Sequence, residues 1–317
     1  MGVEPVTLSR AQGCLLGQLA GDALGGLVEF HSPEEIRRKY PNRVRELADG
    51  GSWGTVAGQP TDDSEMALML ARMLIKQGQY VAEEARKAYV FWLQSAPFDC
   101  GGTVSSGLCG RPNRESQANG AMMRISPLGV FGCNYDLARV SEWAQQDAAL
   151  THPHPVCRQA NALFVMAIAD AIATGKGAQE LYGQVKTWAA AMTVDCSLMK
   201  AIADASTAPP PDYLHQQGWV LIAFQNALWQ LLHAPSLEEG VVDTVTRGGD
   251  TDTNAAIAGA LLGAVYGREA IPAQWSEKVL TCRPEAGNPL VRHPRPECFW
   301  PVDALHIATS LVSMGRS

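Results

Sequence analysis

The 317-residue sequence predicts an all-α protein, and two observations carry that expectation. Apolar residues recur at helical, three- and four-residue intervals in nearly every segment bounded by glycine or proline. No stretch shows the strict alternation that a half-buried strand requires. A chain of this length sits near the limit at which one core gives way to two. One domain over 1–317 is expected, with a proline-rich C-terminal segment, 283–317, packed on it.

Taken in order, the spacing predicts helices over 9–26, 64–77, 81–94, 137–149 and 156–173, then over 178–192, 196–204, 218–233, 237–246 and 253–266. Composition marks three loops between them: 96–120, rich in Gly, Ser and Asn; 206–212, with three consecutive prolines; and 283–301, with five. No internal repeat of fixed period occurs. The most apolar segments, 162–169 and 255–266, fall short of the roughly 20 residues that cross a bilayer, so no membrane span is expected.

The first and last of these helices share an unusual pattern. Gly13, Gly17, Gly21 and Gly25 recur every four residues, as do Gly259, Gly263 and Gly267 with Ala255 one step earlier. Each glycine inside a helix costs about 1 kcal/mol relative to alanine, so something must offset two such stripes. Close approach of the two backbones is the simplest compensation. Both helices carry acidic residues near one end, so their packing brings those carboxylates together. A membrane-type interface of small residues is the competing reading, and Asp22 in the middle of the stripe argues against it.

Thr61-Asp62-Asp63 immediately precedes one helical run, and Asp250-Thr251-Asp252-Thr253 immediately precedes another. Either cluster alone is adequately explained as helix capping. Together they supply more oxygen donors than capping needs, and adjacent carboxylates repel unless a cation lies between them. Hard oxygen donors without His or Cys select Mg²⁺, Mn²⁺ or Ca²⁺ over zinc. Two clusters suggest a pair of ions. Glu29 follows the first glycine-striped helix and is a further candidate, as ligand, as acid/base or simply as a solvated surface residue.

Charge and cysteine usage bound the remaining classes. Lys and Arg number 25 against 32 Asp and Glu, a net charge of -7, with no basic block. That disfavours a nucleic-acid partner, since neutralising phosphates needs clustered cations. The eight cysteines show neither C-x-x-C pairs nor metal-type spacing, which predicts reduced, mostly buried thiols. The N-terminal residues do not read as a signal peptide, and a cytoplasmic setting is expected.

With these pieces in order, the sequence resembles the ADP-ribosylglycohydrolase family. The resemblance rests on Gly13 to Gly25 with Glu29-Phe30, on Thr61-Asp62-Asp63, on Asn119 to Gly129, on Thr151-His152, on Gly218-Trp219-Val220, and on Gly248-Gly-Asp-Thr-Asp-Thr-Asn254. It implies an all-α domain whose site holds two Mg²⁺ or Mn²⁺ ions, with Thr61, Asp62, Asp63, Asp250, Asp252 and Thr253 as ligands. Glu29 and Asp99 are implied as the functional acids beside the scissile glycosidic bond. Asn119, Gly120, Met123, Arg124, His152 and Trp219 are implied as substrate contacts, with Trp219 standing where relatives often carry Tyr. Gly102 departs from the family, which often has Asn there. His154 is either a neighbour of the ligand or a bystander.

The activity implied is removal of ADP-ribose from a modified protein side chain, arginine before serine-linked or free ADP-ribose derivatives. The protein is expected to act as a monomer, with ADP-ribose as product. A non-catalytic, crystallin-like or partner-binding member of the same fold is the competing reading.

Overall fold

Proline opens a helix readily because the N–H it lacks would go unpaired there, and Pro5 does so for helix α1 (Pro5–Gly25). The chain, seen as a computed structural model, is described over residues 3–314. After α1 come α2 (Pro33–Lys39), α3 (Asp62–Gln77), α4 (Ala82–Gln94), α5 (Gly102–Leu108), α6 (Ser126–Gly132), α7 (Leu137–Ala149) and α8 (Pro155–Thr174). Then follow α9 (Ala178–Ala191), α10 (Cys196–Asp204), α11 (Val220–His233), α12 (Leu237–Thr246), α13 (Thr251–Tyr266), α14 (Ala273–Thr281) and α15 (Ala304–Ser313). Among the described residues the only extended pairings are two isolated bridges, Gly50 with Thr55 and Ala118 with Trp219. The fold is all-α.

Each helix expected from periodicity is present, with ends shifted by a few residues at most. Five further helices were not expected. Helices α2, α5 and α6 are seven residues each, too short to display two turns of a pattern. Of these, α5 lies inside the segment whose Gly and Ser content predicts a loop. Helices α14 and α15 flank the proline-rich stretch, which masks their periodicity.

The two glycine-striped helices, α1 and α13, pack against each other in antiparallel fashion. A Cβ added at Gly13 would stand 2.5 Å from the carbonyl oxygen of Gly263; at Gly17, 2.3 Å from that of Gly259; at Gly21, 2.2 Å from that of Ala255; at Gly25, 2.3 Å from that of Thr251. These distances lie inside van der Waals contact, so only glycine lets the backbones meet along four turns. The C-terminal end of α1 is thereby set beside the N-terminal end of α13.

Helix α8 corrects one expectation. At 20 residues it is long and apolar enough to cross a membrane by length and composition. Yet 83% of its most apolar window is buried, packed against α1, α6, α7, α9, α11 and α13. Helix α8 is the central helix of the core. Its N-cap is His154, whose Nδ1 accepts from Val156 N at 3.2 Å, which gives that histidine a structural task. The cysteines correct another: Cys14, Cys157 and Cys282 are buried, whereas Cys109 and Cys196 are exposed and the others lie between.

The proline-rich segment is fastened to the helices by ion pairs. Arg295, 6% exposed, donates to both oxygens of buried Glu65 at 2.8 Å, and Trp92 Nε1 completes that carboxylate's partners. Arg72 makes a two-pronged pair with Asp303. Just before the first anchor His293 stacks on Phe98 and hydrogen-bonds to Trp53 O, which sets the segment behind the loops that carry Trp53 and Asp99.

Candidate active site

The N-terminal ends of α3, α5 and α13 and the loops that carry Glu29, Asp99, Asn119, His152 and Gly218 converge on a cavity of about 330 Å³. Its walls include Glu29, Phe30, Asp62, Asp99, Gly102, Asn119, Gly120, Met123, His152, Gly218, Asp250, Asp252 and Thr253.

Helix capping does not account for the acidic clusters. Thr61 and Asp250 occupy the N-cap positions of α3 and α13, and neither makes a side-chain cap hydrogen bond. At α3 the cap comes from a different helix. Asp22, in the last turn of α1 and fully buried, accepts from Thr61 N, Thr61 Oγ1 and Ser64 N at 3.2, 2.9 and 3.2 Å. This leaves Asp62 and Asp63 free of the helix end. Asp62 accepts only from Gly101 N, at 3.2 Å. Asp63 takes Thr61 Oγ1 on one oxygen, while the other, Oδ1, is buried with no partner. At α13, Asp250 accepts from Asn119 Nδ2 at 2.6 Å and Asp252 from Thr253 N at 2.9 Å.

Glu29 is brought into the cluster by a clamp between two loops. Phe30 N donates to Gly249 O and Gly249 N donates to His31 O. Gly248 and Gly249 are both left-handed, and a Cβ on either would strike a carbonyl oxygen, of His31 or of Tyr213. The clamp aims Glu29 inward, where its carboxylate accepts from Trp53 Nε1 at 2.6 Å. Ligand oxygens of Glu29, Asp250 and Asp252 lie within 4.8 Å of one another.

So much carboxylate in so little water raises every proton affinity. Burial first, then the neighbouring Asp250, pushes Glu29 up to about 7. Burial and then Glu29 push Asp99 up to about 7. Burial raises Asp22 to about 6, held there by its hydrogen-bond donors. Asp62, Asp63 and Asp252 are raised well above the carboxylate range by burial and then by the charges of Asp99, Asp22 and Glu29 respectively, and Asp250 is raised by burial. An ensemble of this kind takes up either protons or cations.

The site residues expected from sequence fall into three groups. Glu29, Asp62, Asp99, Asn119, Gly120, Met123, His152, Asp250, Asp252 and Thr253 line the cavity. Thr61 and Asp63 stand just behind its wall, against Asp22. Arg124 and Trp219 are corrected. Arg124 is wholly buried, paired with Asp147 and donating to Thr151 Oγ1, so it braces the cavity wall from behind. Trp219 donates its indole N–H to Gln117 and lies in a groove that adjoins the cavity through Ala118, Gln217 and Gly218. Two residues with evident parts in the site were not singled out for it: Asp22, which read as an interruption of the glycine stripe, and Trp53, which nothing in its local sequence marks.

An all-helical scaffold that aims several buried carboxyl groups into one cavity presents the paired acids that hydrolysis of a glycosidic bond uses. The chain belongs to the ADP-ribosylglycohydrolase family, which it matches over residues 4–294. It is 30% identical to the ADP-ribosyl-[dinitrogen reductase] glycohydrolase of Rhodospirillum rubrum over 286 residues, covering 87% of this chain and 92% of the relative. It is 24% identical to the ADP-ribosylarginine hydrolase Tri1 of Serratia proteamaculans, covering 87% of this chain and 77% of that one. The human ADP-ribosylhydrolase ARH3 is 23% identical, over 86% of this chain and 89% of the relative. Among solved structures, an ADP-ribosylglycohydrolase-related protein complex superposes with a TM-score of 0.81 at 24% identity, covering 98% and 99% of the two chains, which establishes the shared fold. The chain is an enzyme of this family.

Proposed function

We propose that the chain hydrolyses the N-glycosidic bond between ADP-ribose and an arginine side chain of a modified protein, using two Mg²⁺ or Mn²⁺ ions. Arginine is preferred over serine because one of the relatives above is named for ADP-ribosylarginine. The observation that carries the reading is the cluster of Glu29, Asp250 and Asp252 oxygens within 4.8 Å, beside the unpartnered Oδ1 of Asp63. Oxygen-only donors of this density fit hard divalent cations. Thr61, Asp62, Asp63, Asp250, Asp252 and Thr253 would hold them, with Glu29 as a further donor. Bound there, the ions would supply positive charge and Lewis acidity toward the ribose hydroxyls.

The chain's own part in the reaction is to bind the sugar and to handle protons. Asn119, which donates to Asp250, and Gly120, Met123 and His152 line the cavity beside the acidic cluster and would seat the ADP-ribosyl group. Water adds to the anomeric carbon, the bond to the guanidine nitrogen breaks, and that nitrogen leaves with a proton. Glu29 and Asp99, whose proton affinities burial and neighbouring charge raise, stand where a group that takes a proton from water or delivers one to a leaving nitrogen would act.

The test is release of ADP-ribose from arginine-, serine- and cysteine-linked substrates side by side, with magnesium added or chelated. Release from the arginine-linked protein alone, abolished by chelation, is expected. Release from the serine-linked substrate at equal or greater rate would remove the arginine assignment, and activity indifferent to chelation would remove the metals.

A further inference from the structure

Among the described residues that line the cavity, His152 is the one whose buried side chain aims an unpartnered nitrogen, Nε2, at it. Its other nitrogen, Nδ1, lies 2.8 Å from Thr151 Oγ1, and Arg124 Nη1 donates to the same hydroxyl oxygen at 2.9 Å. A guanidinium has no acceptor, so Oγ1 accepts from Arg124 and the hydroxyl proton must point elsewhere. Nδ1 is the acceptor within reach. Were Nδ1 to carry the proton instead, the Oγ1 proton and the Nε2 lone pair would both be buried without a partner, whereas the other tautomer leaves only the Nε2 proton unpaired, and that one is next to the cavity. The ring proton therefore sits on Nε2.

We propose that Arg124 acts through Thr151 as a positioning residue that fixes His152 in its Nε2–H tautomer, making the ring a neutral hydrogen-bond donor to an oxygen of the bound ADP-ribosyl group. The identity of that ligand rests on the function proposed above; the tautomer does not.

The surroundings of the relay are built for it. Arg124 is immobilised by Asp147, whose Oδ1 and backbone carbonyl accept from its Nε and Nη2 at 3.2 and 3.1 Å, and it lies 4.3 Å from the Tyr89 ring centre. Tyr89 OH donates to the other oxygen of Asp147 at 2.9 Å. A buried ion pair is a poor source of net stability, and this one presents a single N–H to one hydroxyl. On the cavity side the residue facing the ring is Gly120: a Cβ there would stand 3.2 Å from His152 Cε1 and 3.3 Å from Nε2, so a larger residue would crowd the donating edge. Burial, with the charge of Arg124, pushes His152 down to about 3, and the ring is neutral whenever a substrate arrives.

Nitrogen NMR of the full-length protein with labelled histidine tests the tautomer, the His152 signals being assigned by their loss in His152→Gln. A proton on Nε2 and none on Nδ1 is expected, unchanged in Thr151→Ser and shifted toward Nδ1 in Thr151→Val. A proton on Nδ1 in the unmutated protein overturns the relay outright. The donor role is read by calorimetric binding of ADP-ribose in the presence of magnesium. A glutamine amide can place its N–H₂ where Nε2–H stands and an asparagine amide cannot. His152→Gln should therefore bind within about threefold of wild type and His152→Asn about tenfold more weakly. Equal losses in the two variants, or no loss in either, overturn the donor role. If the unmutated protein does not bind ADP-ribose at all, the function reading and the donor role fall together, while the nitrogen spectrum still decides the relay.

Discussion

Asp22 is the only charged residue between Ala11 and Val28, and it is completely buried. A lone carboxylate inside a helix of glycine, alanine and leucine is expensive unless its hydrogen bonds are met. Thr61 and Ser64 meet them, so the residue joins two helices and takes over the capping of α3. This frees Asp62 and Asp63 for other work. The sequence held the signal, since a single acid in so apolar a run has to be partnered, but not the address of its partner about 40 residues on. Removing it by Asp22→Ala leaves two backbone donors, Thr61 N and Ser64 N, unpaired, while the Thr61 hydroxyl keeps Asp63, and it relieves some repulsion on Asp63. The donors weigh more, and a loss of roughly 1–3 kcal/mol is expected in urea unfolding at neutral pH without added metal. An unchanged or raised midpoint would mean that Asp22 is merely one more repelling charge.

Among the elements, legibility tracked length. Helices of nine residues or more with a polar face announced themselves through period, whereas the three seven-residue helices and the two beside the proline-rich stretch did not. The glycine stripes were legible for a different reason: an unfavourable residue repeated at a fixed interval demands a compensating contact. The contact proved to be backbone against backbone. Gly17→Ala offers a clean trial, because helix propensity alone favours alanine by about 1 kcal/mol. Here the new Cβ would meet Gly259 O at 2.3 Å, a rigid neighbour that cannot rotate away. A net loss of about 2 kcal/mol or more is expected, with weaker magnesium binding as the ends of α1 and α13 part. Gly183→Ala in α9, where nothing lies within 4 Å of the added carbon, should instead gain up to about 1 kcal/mol. If both substitutions stabilise, the close helix packing is not what holds the site together.

For the molecule as a whole, folding drives acids from distant parts of the chain into one poorly hydrated volume, and its stability must therefore depend on what neutralises them. In the folded, metal-free protein Glu29 and Asp99 sit near 7, against ordinary values of 4.5 and 3.8. Between those limits the folded state binds more protons than the unfolded one. By linkage the stability of the metal-free protein falls as pH rises from those ordinary values through about 7, and the more strongly raised Asp62, Asp63 and Asp252 carry the fall further. Each unit of upward shift corresponds to about 1.4 kcal/mol, so a fall of at least a few kcal/mol across that window is expected from these two residues. A divalent cation competes for the same oxygens and bears most strongly where the protons have gone. Melting curves recorded between about pH 5 and 8 should show a midpoint that declines with pH in chelator. Millimolar magnesium should raise and flatten it, with the largest gain at the alkaline end. A metal-free midpoint that climbs with pH, or one at pH 8 that magnesium leaves unmoved, would show that these carboxyl groups are neither crowded nor awaiting a cation.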